Sequence, residues 1–139
     1  YDEVMTGLDI RSGAIIDRFG VRCSKSWALN PDTSVHGPGV GGSGGNAATF
    51  NCHDGEAITG LNVIVGSNSY TATSLSSVQA TCSNASTGAS GAVSDTFGSQ
   101  DGGQSSSYAC PAGTLARGVR VFPDSGGTFA GTVLGLNCK

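Results

Sequence analysis

The chain has 139 residues, a formal net charge of −3 and 12% charged side chains. That length suits one domain with a real core, and the charge lacks the basic balance that nucleic acid or an anionic membrane surface attracts. No apolar run approaches the roughly 20 residues of a membrane-spanning helix, and the 23 glycines announce a turn-rich chain with an uncharged polar surface.

The chain opens on Tyr1 rather than methionine, which predicts processing, with a removed secretory signal as the expected cause. A first apolar run, Glu3-Val4-Met5-Thr6-Gly7-Leu8-Asp9-Ile10, leads to the short turn Gly13-Ala14-Ile15-Ile16-Asp17. Phe19 and Val21 then alternate with polar residues up to Cys23, which reads as a half-buried strand. Asn30-Pro31-Asp32 marks a turn, and Gly37 to Gly45 a glycine-rich loop. A short strand over Ala47–Asn51 precedes Cys52. Leu61, Val63 and Val65 alternate, Gly66-Ser67-Asn68-Ser69 turns, and Leu75 to Cys82 forms another strand. The Gly/Ser-rich stretch 83–104 reads as loop rather than linker. Ser106–Ala109 precedes Cys110, Val119 and Val121 alternate, Pro123 to Gly127 turns, and Leu134 and Leu136 lead to Cys138. No segment has convincing helical periodicity.

These elements repeat. Cys52-His53-Asp54-Gly55-Glu56-Ala57-Ile58-Thr59-Gly60-Leu61-Asn62-Val63 aligns with Cys110-Pro111-Ala112-Gly113-Thr114-Leu115-Ala116-Arg117-Gly118-Val119-Arg120-Val121. Glu3 to Ile10 matches Glu56 to Val63. Each copy closes on a second apolar run ending in cysteine, at Cys23, Cys82 and Cys138. Self-similarity of this kind fixes architecture. It predicts one all-β domain over 1–139, with an incomplete first repeat at 1–28, a second at 41–85 and a third at 98–139. Each full repeat would supply about four strands, one Greek-key sheet, and three such sheets would surround a common core.

Five cysteines point to an oxidising compartment. Pseudo-symmetry pairs opener with closer, Cys52 with Cys82 and Cys110 with Cys138. Cys23 has no opener: the alignment places it two positions before Tyr1. Zinc is disfavoured because no CxxC exists. An unfilled place in the first repeat predicts an exposed strand edge near Cys23, open to self-association into a homo-oligomer or to cover by the protein's own C-terminal tail or residues 24–40.

Two motifs bear on chemistry. Glycines in Gly41-Gly42-Ser43-Gly44-Gly45 serve a tight turn or let the backbone approach a ligand closely. The same stretch fits G-x-S-x-G, but Pro38 before it and a polar strand after it lack the strand–turn–helix context a Ser43 nucleophile needs. Asp17 closes the turn 13–17, where the equivalent positions of the other repeats hold Ser76 and Thr132. A carboxylate there accepts backbone N–H groups or binds a ligand.

Gly13-x-x-x-Asp17 resembles the sugar-binding GxxxD loop of jacalin-related lectins, and Gly41 to Gly45 resembles the glycine-rich loop of that family. The stretch from Met5 to Asp17 is similar to the closing segment of those lectins, notably the zymogen-granule type. The cysteine placement resembles that of the vitelline membrane outer layer proteins. The resemblance implies a β-prism and an extracellular lectin-like protein that binds glycans containing hexose. Its site would be Gly13, Ala14, Ile15, Ile16 and Asp17 with Gly41, Gly42, Ser43, Gly44 and Gly45. Here GxxxD precedes the glycine loop, as in a circular permutation, and its interior has no aromatic residue.

The remaining candidates read as structural. His36 and His53 are surface residues without ligand spacing; Asp95, Asp101 and Asp124 sit in glycine-rich turns without EF-hand spacing. Asn84-Ala85-Ser86 is a glycosylation sequon in a eukaryotic source. Trp27 is expected to cap the core. The sequence thus predicts a secreted, non-enzymatic carbohydrate-binding domain without cofactor or metal. The alternative is a secreted matrix, coat or fibre protein that keeps the fold without the sugar site.

Overall fold

The structure, a computed structural model, describes residues 3–66, 74–99, 103–123 and 130–139, without the side chains of Pro31, Pro38, Thr132 and Leu134. Eleven strands and one short 3-10 turn (Pro31–Thr33) make up the regular structure of these residues. The strands are β1 (Glu3–Ser12), β2 (Ile16–Lys25), β3 (Val35–Gly41), β4 (Asn46–Asn51), β5 (Glu56–Gly66) and β6 (Ser74–Asn84). They continue with β7 (Ser90–Val93), β8 (Phe97–Gly98), β9 (Gln104–Ala109), β10 (Ala116–Pro123) and β11 (Ala130–Cys138). No helix among the described residues is long and apolar enough to cross a membrane.

Three separate sheets form. Sheet one has the order β3-β2-β1-β4, and sheet two β7-β6-β5-β9 with β8 also on β6. Both are Greek keys, three consecutive strands with a fourth returning beside the first. Sheet three is the pair β10-β11. Apolar residues at alternate positions face one side of each strand, so the three inner faces meet in one core. Leu8, Ile10 and Phe19 come from sheet one, Leu61, Val63 and Val78 from sheet two, and Ala116 and Val133 from sheet three. This is the prismatic arrangement the repeat predicts.

The repeat extends to irregularities. The ladder slips by one residue between Met5 and Gly7, between Ile58 and Gly60, and between Ala116 and Gly118. The extra residue is Thr6, Thr59 or Arg117, a bulge at the same place in each sheet. Thr6 Oγ1 lies 2.9 Å from Ser24 Oγ, and Thr59 Oγ1 lies 2.7 Å from the equivalent Ser83 Oγ.

Three expectations need correction. The strand before each opening cysteine does not join its own repeat's sheet. β4 pairs with β1 and β9 with β5, each completing the preceding sheet. The backbone turns the prism corner at the cysteine itself: the Cys52 N–H donates to Thr6 C=O at 2.8 Å, and the Cys110 N–H to Thr59 C=O at 2.8 Å. Among the described residues the sheet left short is therefore the third, not the first. The second correction concerns the loops. Residues 35–41 form the edge strand β3 despite Pro38, a residue that edge strands tolerate, and short β7 and β8 lie within 83–104. Third, Trp27 is 70% exposed in the turn after β2, with the Lys25 amine 6.0 Å from its ring centre, and caps nothing.

Disulfides join Cys52 to Cys82 and Cys110 to Cys138, one beside each corner. Cys23 is a half-buried free thiol at the third corner, and burial followed by the nearby Glu3 charge pushes its pKa up.

Candidate functional site

The turn 13–17 and the loop 41–45 meet at one end of sheet one. β3 runs beside β2, with Arg18 opposite Gly41, so the loop that follows β3 falls next to the turn that precedes β2. The Gly42 N–H donates to the backbone carbonyl of Asp17 at 2.9 Å. A side chain on Gly41 (φ +119°) would collide with that same carbonyl. A Cβ on Gly44 would lie 2.8 Å from Asp17 Oδ1, and one on Gly45 2.5 Å from Asp17 Oδ2. Gly45 also holds φ +68°, a left-handed conformation that side chains resist. The bare glycine backbone is thus what admits the carboxylate.

Two arginines anchor the loop. Arg11 Nε donates to Gly44 C=O at 3.0 Å and its Nη2 to Gly45 C=O at 3.1 Å. Arg18 Nη1 donates to Gly41 C=O at 3.2 Å. With the loop carbonyls turned to the guanidinium groups, the loop backbone is held rigid beside Asp17. Asp17 is 8% exposed. Burial raises its pKa above the ordinary carboxylate value, while the Arg11 charge and a bond from its own backbone oppose that rise. Arg11 thus favours the ionised carboxylate against the desolvation that disfavours it.

The side chains of the turn divide sharply. Gly13 and Ala14 are exposed, whereas Ile15 and Ile16 are buried in the core. Ile15 and Ile16 offer a ligand only backbone. Ser43, Gly44 and Gly45 are exposed, and Gly41 and Gly42 half-buried. Arg11 and Arg18 escaped the sequence reading. A signal existed: Arg11 stands where the other repeats carry Ile64 and Phe122, the same break of symmetry that marks Asp17 against Ser76 and Thr132.

Other candidates lie elsewhere. A cavity of about 620 Å³, lined by Thr59, Asn84, Tyr108 and Gly113 among others, shares no residue with the Asp17 site. Asn84 Oδ1 accepts the N–H groups of Ser86 and Thr87, ordering the sequon turn. His36 and His53 are exposed, His36 Nδ1 lying 2.5 Å from Asp9 Oδ2 and His53 Nδ1 3.6 Å from Glu56 Oε1. Asp95 is exposed, and Asp101 and Asp124 fall outside the described residues. Among the described residues no group of His, Cys, Asp and Glu is placed to hold a metal.

No family model and no curated protein sequence matches this chain. Solved structures do. The artocarpin–mannotriose complex superposes with a TM-score of 0.73 over 98% of this chain and 83% of its own, at 13% identity. AcmJRL, a mannose-binding jacalin-related lectin from Ananas comosus, gives 0.61 over 84% and 71%, at 18% identity. The V. cholerae biofilm matrix protein Bap1 gives 0.51 at 24% identity, with 98% of this chain aligned to 20% of that one. The fold is therefore the β-prism of the jacalin-related lectins.

Proposed function

We propose that this domain is a secreted lectin-like protein that binds a hexose between residues 13–17 and 41–45, without catalysis. The observation that carries the reading is the Asp17 carboxylate set within reach of the glycine loop. An ionised Asp17 would accept hydrogen bonds from two adjacent sugar hydroxyls, and charge-assisted bonds are the stronger kind. Backbone N–H groups of residues 14–16 and of the loop would donate to sugar oxygens. Mannose and mannotriose are the first ligands to test, since mannose binders are among the proteins sharing the fold. A single site of this kind should be weak, with useful avidity coming from several copies. Two disulfides fit an oxidising, extracellular setting.

Titration calorimetry with mannose on wild type and Asp17→Ala tests the site. Removal of two charge-assisted bonds should weaken binding on the order of 100-fold. Equal affinity in the two proteins would refute the assignment.

A second reading, a matrix component without sugar binding, is favoured by the Bap1 match. A glycan array decides between them: no signal from folded wild-type protein would favour the matrix role.

A further inference from the structure

The three corners of the prism are built alike, and two are filled. At the first, β4 lies along β1, with Phe50 opposite Leu8 and Asn51 opposite Gly7. At the second, β9 lies along β5, with Tyr108 opposite Leu61 and Ala109 opposite Gly60. Each added strand is small and polar, carries an aromatic residue two positions before its cysteine, and delivers that cysteine to a disulfide: Phe50-Asn51-Cys52 and Tyr108-Ala109-Cys110. At the third corner, among the described residues, β10 pairs only with β11.

Three observations show that the third corner is shaped for the same occupant. First, Leu8 and Ile10 under β4 are at most 1% exposed, and Leu61 and Val63 under β9 at most 2%. Their equivalents Val119 and Val121 remain only half-buried. Second, the bare Cα of Gly7 leaves room for the crossing strand, since a Cβ there would collide with the Phe50 carbonyl. Gly118 keeps the same glycine, yet its Cβ would meet nothing nearer than Asn137 Cβ at 3.9 Å. Third, a groove of about 560 Å³ runs there, walled by Phe19, Val21, Val40, Val119 and Val121, and Cys23 lies in it. Cys23 holds the ladder position that Cys82 and Cys138 hold in the disulfides, opposite Met5 as they are opposite Ile58 and Ala116.

We propose that this groove binds an extended peptide strand foreign to residues 1–139, which adds antiparallel to β10 along 118–122, seats an aromatic side chain over Val119, and joins its cysteine to Cys23. The occupant is not a second copy of residues 1–139: among them the pattern aromatic–x–Cys occurs only at Phe50 and Tyr108, both already used. Backbone pairing supplies affinity in such strand addition, and side-chain pockets supply specificity. The covalent step is thiol–disulfide exchange with a glutathione-capped strand. The Cys23 sulfur attacks the peptide sulfur, the peptide–glutathione bond breaks as the Cys23–peptide bond forms, and glutathione leaves with the proton Cys23 gave up.

The probe is a synthetic peptide with the sequence of residues 46–52, glutathionylated on its cysteine and incubated with the 139-residue protein at pH 8.5. A control peptide carries Phe50→Ser. Peptide mapping should find the adduct on Cys23, formed at least about 10-fold faster with the aromatic peptide, given what burial of one phenyl ring contributes. Val119→Asp should remove that preference while leaving both disulfides intact. Amide exchange over 118–122 should slow in the adduct. Equal rates for the two peptides, or unchanged exchange over 118–122, would overturn the proposal. So would a Cys23-linked dimer that protects the same residues without peptide.

Discussion

The Asp17 corner of sheet one and the Ser76 corner of sheet two have the same backbone and different chemistry. At the first, Gly41 holds φ +119° and the Gly42 N–H donates to the Asp17 carbonyl at 2.9 Å. At the second, Gly98 holds φ +86° and the Ser99 N–H donates to the Ser76 carbonyl at 2.9 Å. In both, a Cβ on the glycine would collide with that carbonyl. Yet Asp17 sits among glycines anchored by Arg11, whereas the buried Ser76 Oγ has no partner among the described residues. Repetition thus supplies the close approach of loop to turn in sheets one and two, and side-chain substitutions in sheet one alone turn it into a candidate binding site. Arg11 and Asp17 are among the positions where unit one departs from its siblings, and the structure brings both to the same glycine loop.

Ways to break this comparison rank by size. The largest effect is Asp17→Ala, the roughly 100-fold loss of sugar affinity already described. Gly45→Val comes next, because its side chain would enter the carboxylate's place and its backbone would be strained. Calorimetry should show a loss of about 10-fold or more, and thermal unfolding a cost of about 1–3 kcal/mol. Arg11→Met frees the Gly44 and Gly45 carbonyls while keeping the aliphatic stem. It should weaken sugar binding about 5- to 10-fold, the worth of a typical hydrogen bond, and push the Asp17 pKa further up, visible as a binding profile displaced to higher pH.

The pH dependence sharpens the contrast through its sign. Asp17 has a raised pKa in the folded protein, so between the ordinary carboxylate value and that raised value the folded state holds more protons than the unfolded one. Stability from this group is present below the ordinary value and lost as pH rises through the raised one. Asp17→Asn should therefore leave the melting temperature unchanged or higher at neutral pH, with the gain shrinking in acid, while sugar binding is lost. Wild-type binding should itself fade on acidification at a higher pH than an ordinary carboxylate would give. A lower melting temperature for Asp17→Asn at pH 7 would show the acid to be a structural group. The smallest effect belongs to the other corner. Ser76→Ala removes an unpartnered hydroxyl and should change stability by no more than about 1 kcal/mol, in the stabilising direction, with sugar affinity untouched.

By itself the sequence determined the all-β class, the threefold repeat, the opener-to-closer spacing of its cysteines and the oddity of Asp17. Each is local information: period-2 alternation along Leu61, Val63 and Val65, and identical offsets of cysteine and glycine, survive in one dimension. It did not determine which sheet each strand joins. Ala47–Asn51 and Ser106–Ala109 look like members of their own repeats, and only the turn at Cys52 and Cys110 sends them onto the preceding sheet. Nor did it reveal that Arg11 and Arg18 hold the glycine loop, since those bonds span 33, 34 and 23 positions. The exposure of Trp27 was equally hidden, as was the fact that the gap announced beside Cys23 runs along sheet three rather than sheet one. Both depend on what packs against a residue from another part of the molecule, and pairing between distant segments is decided when the sheets close round the core.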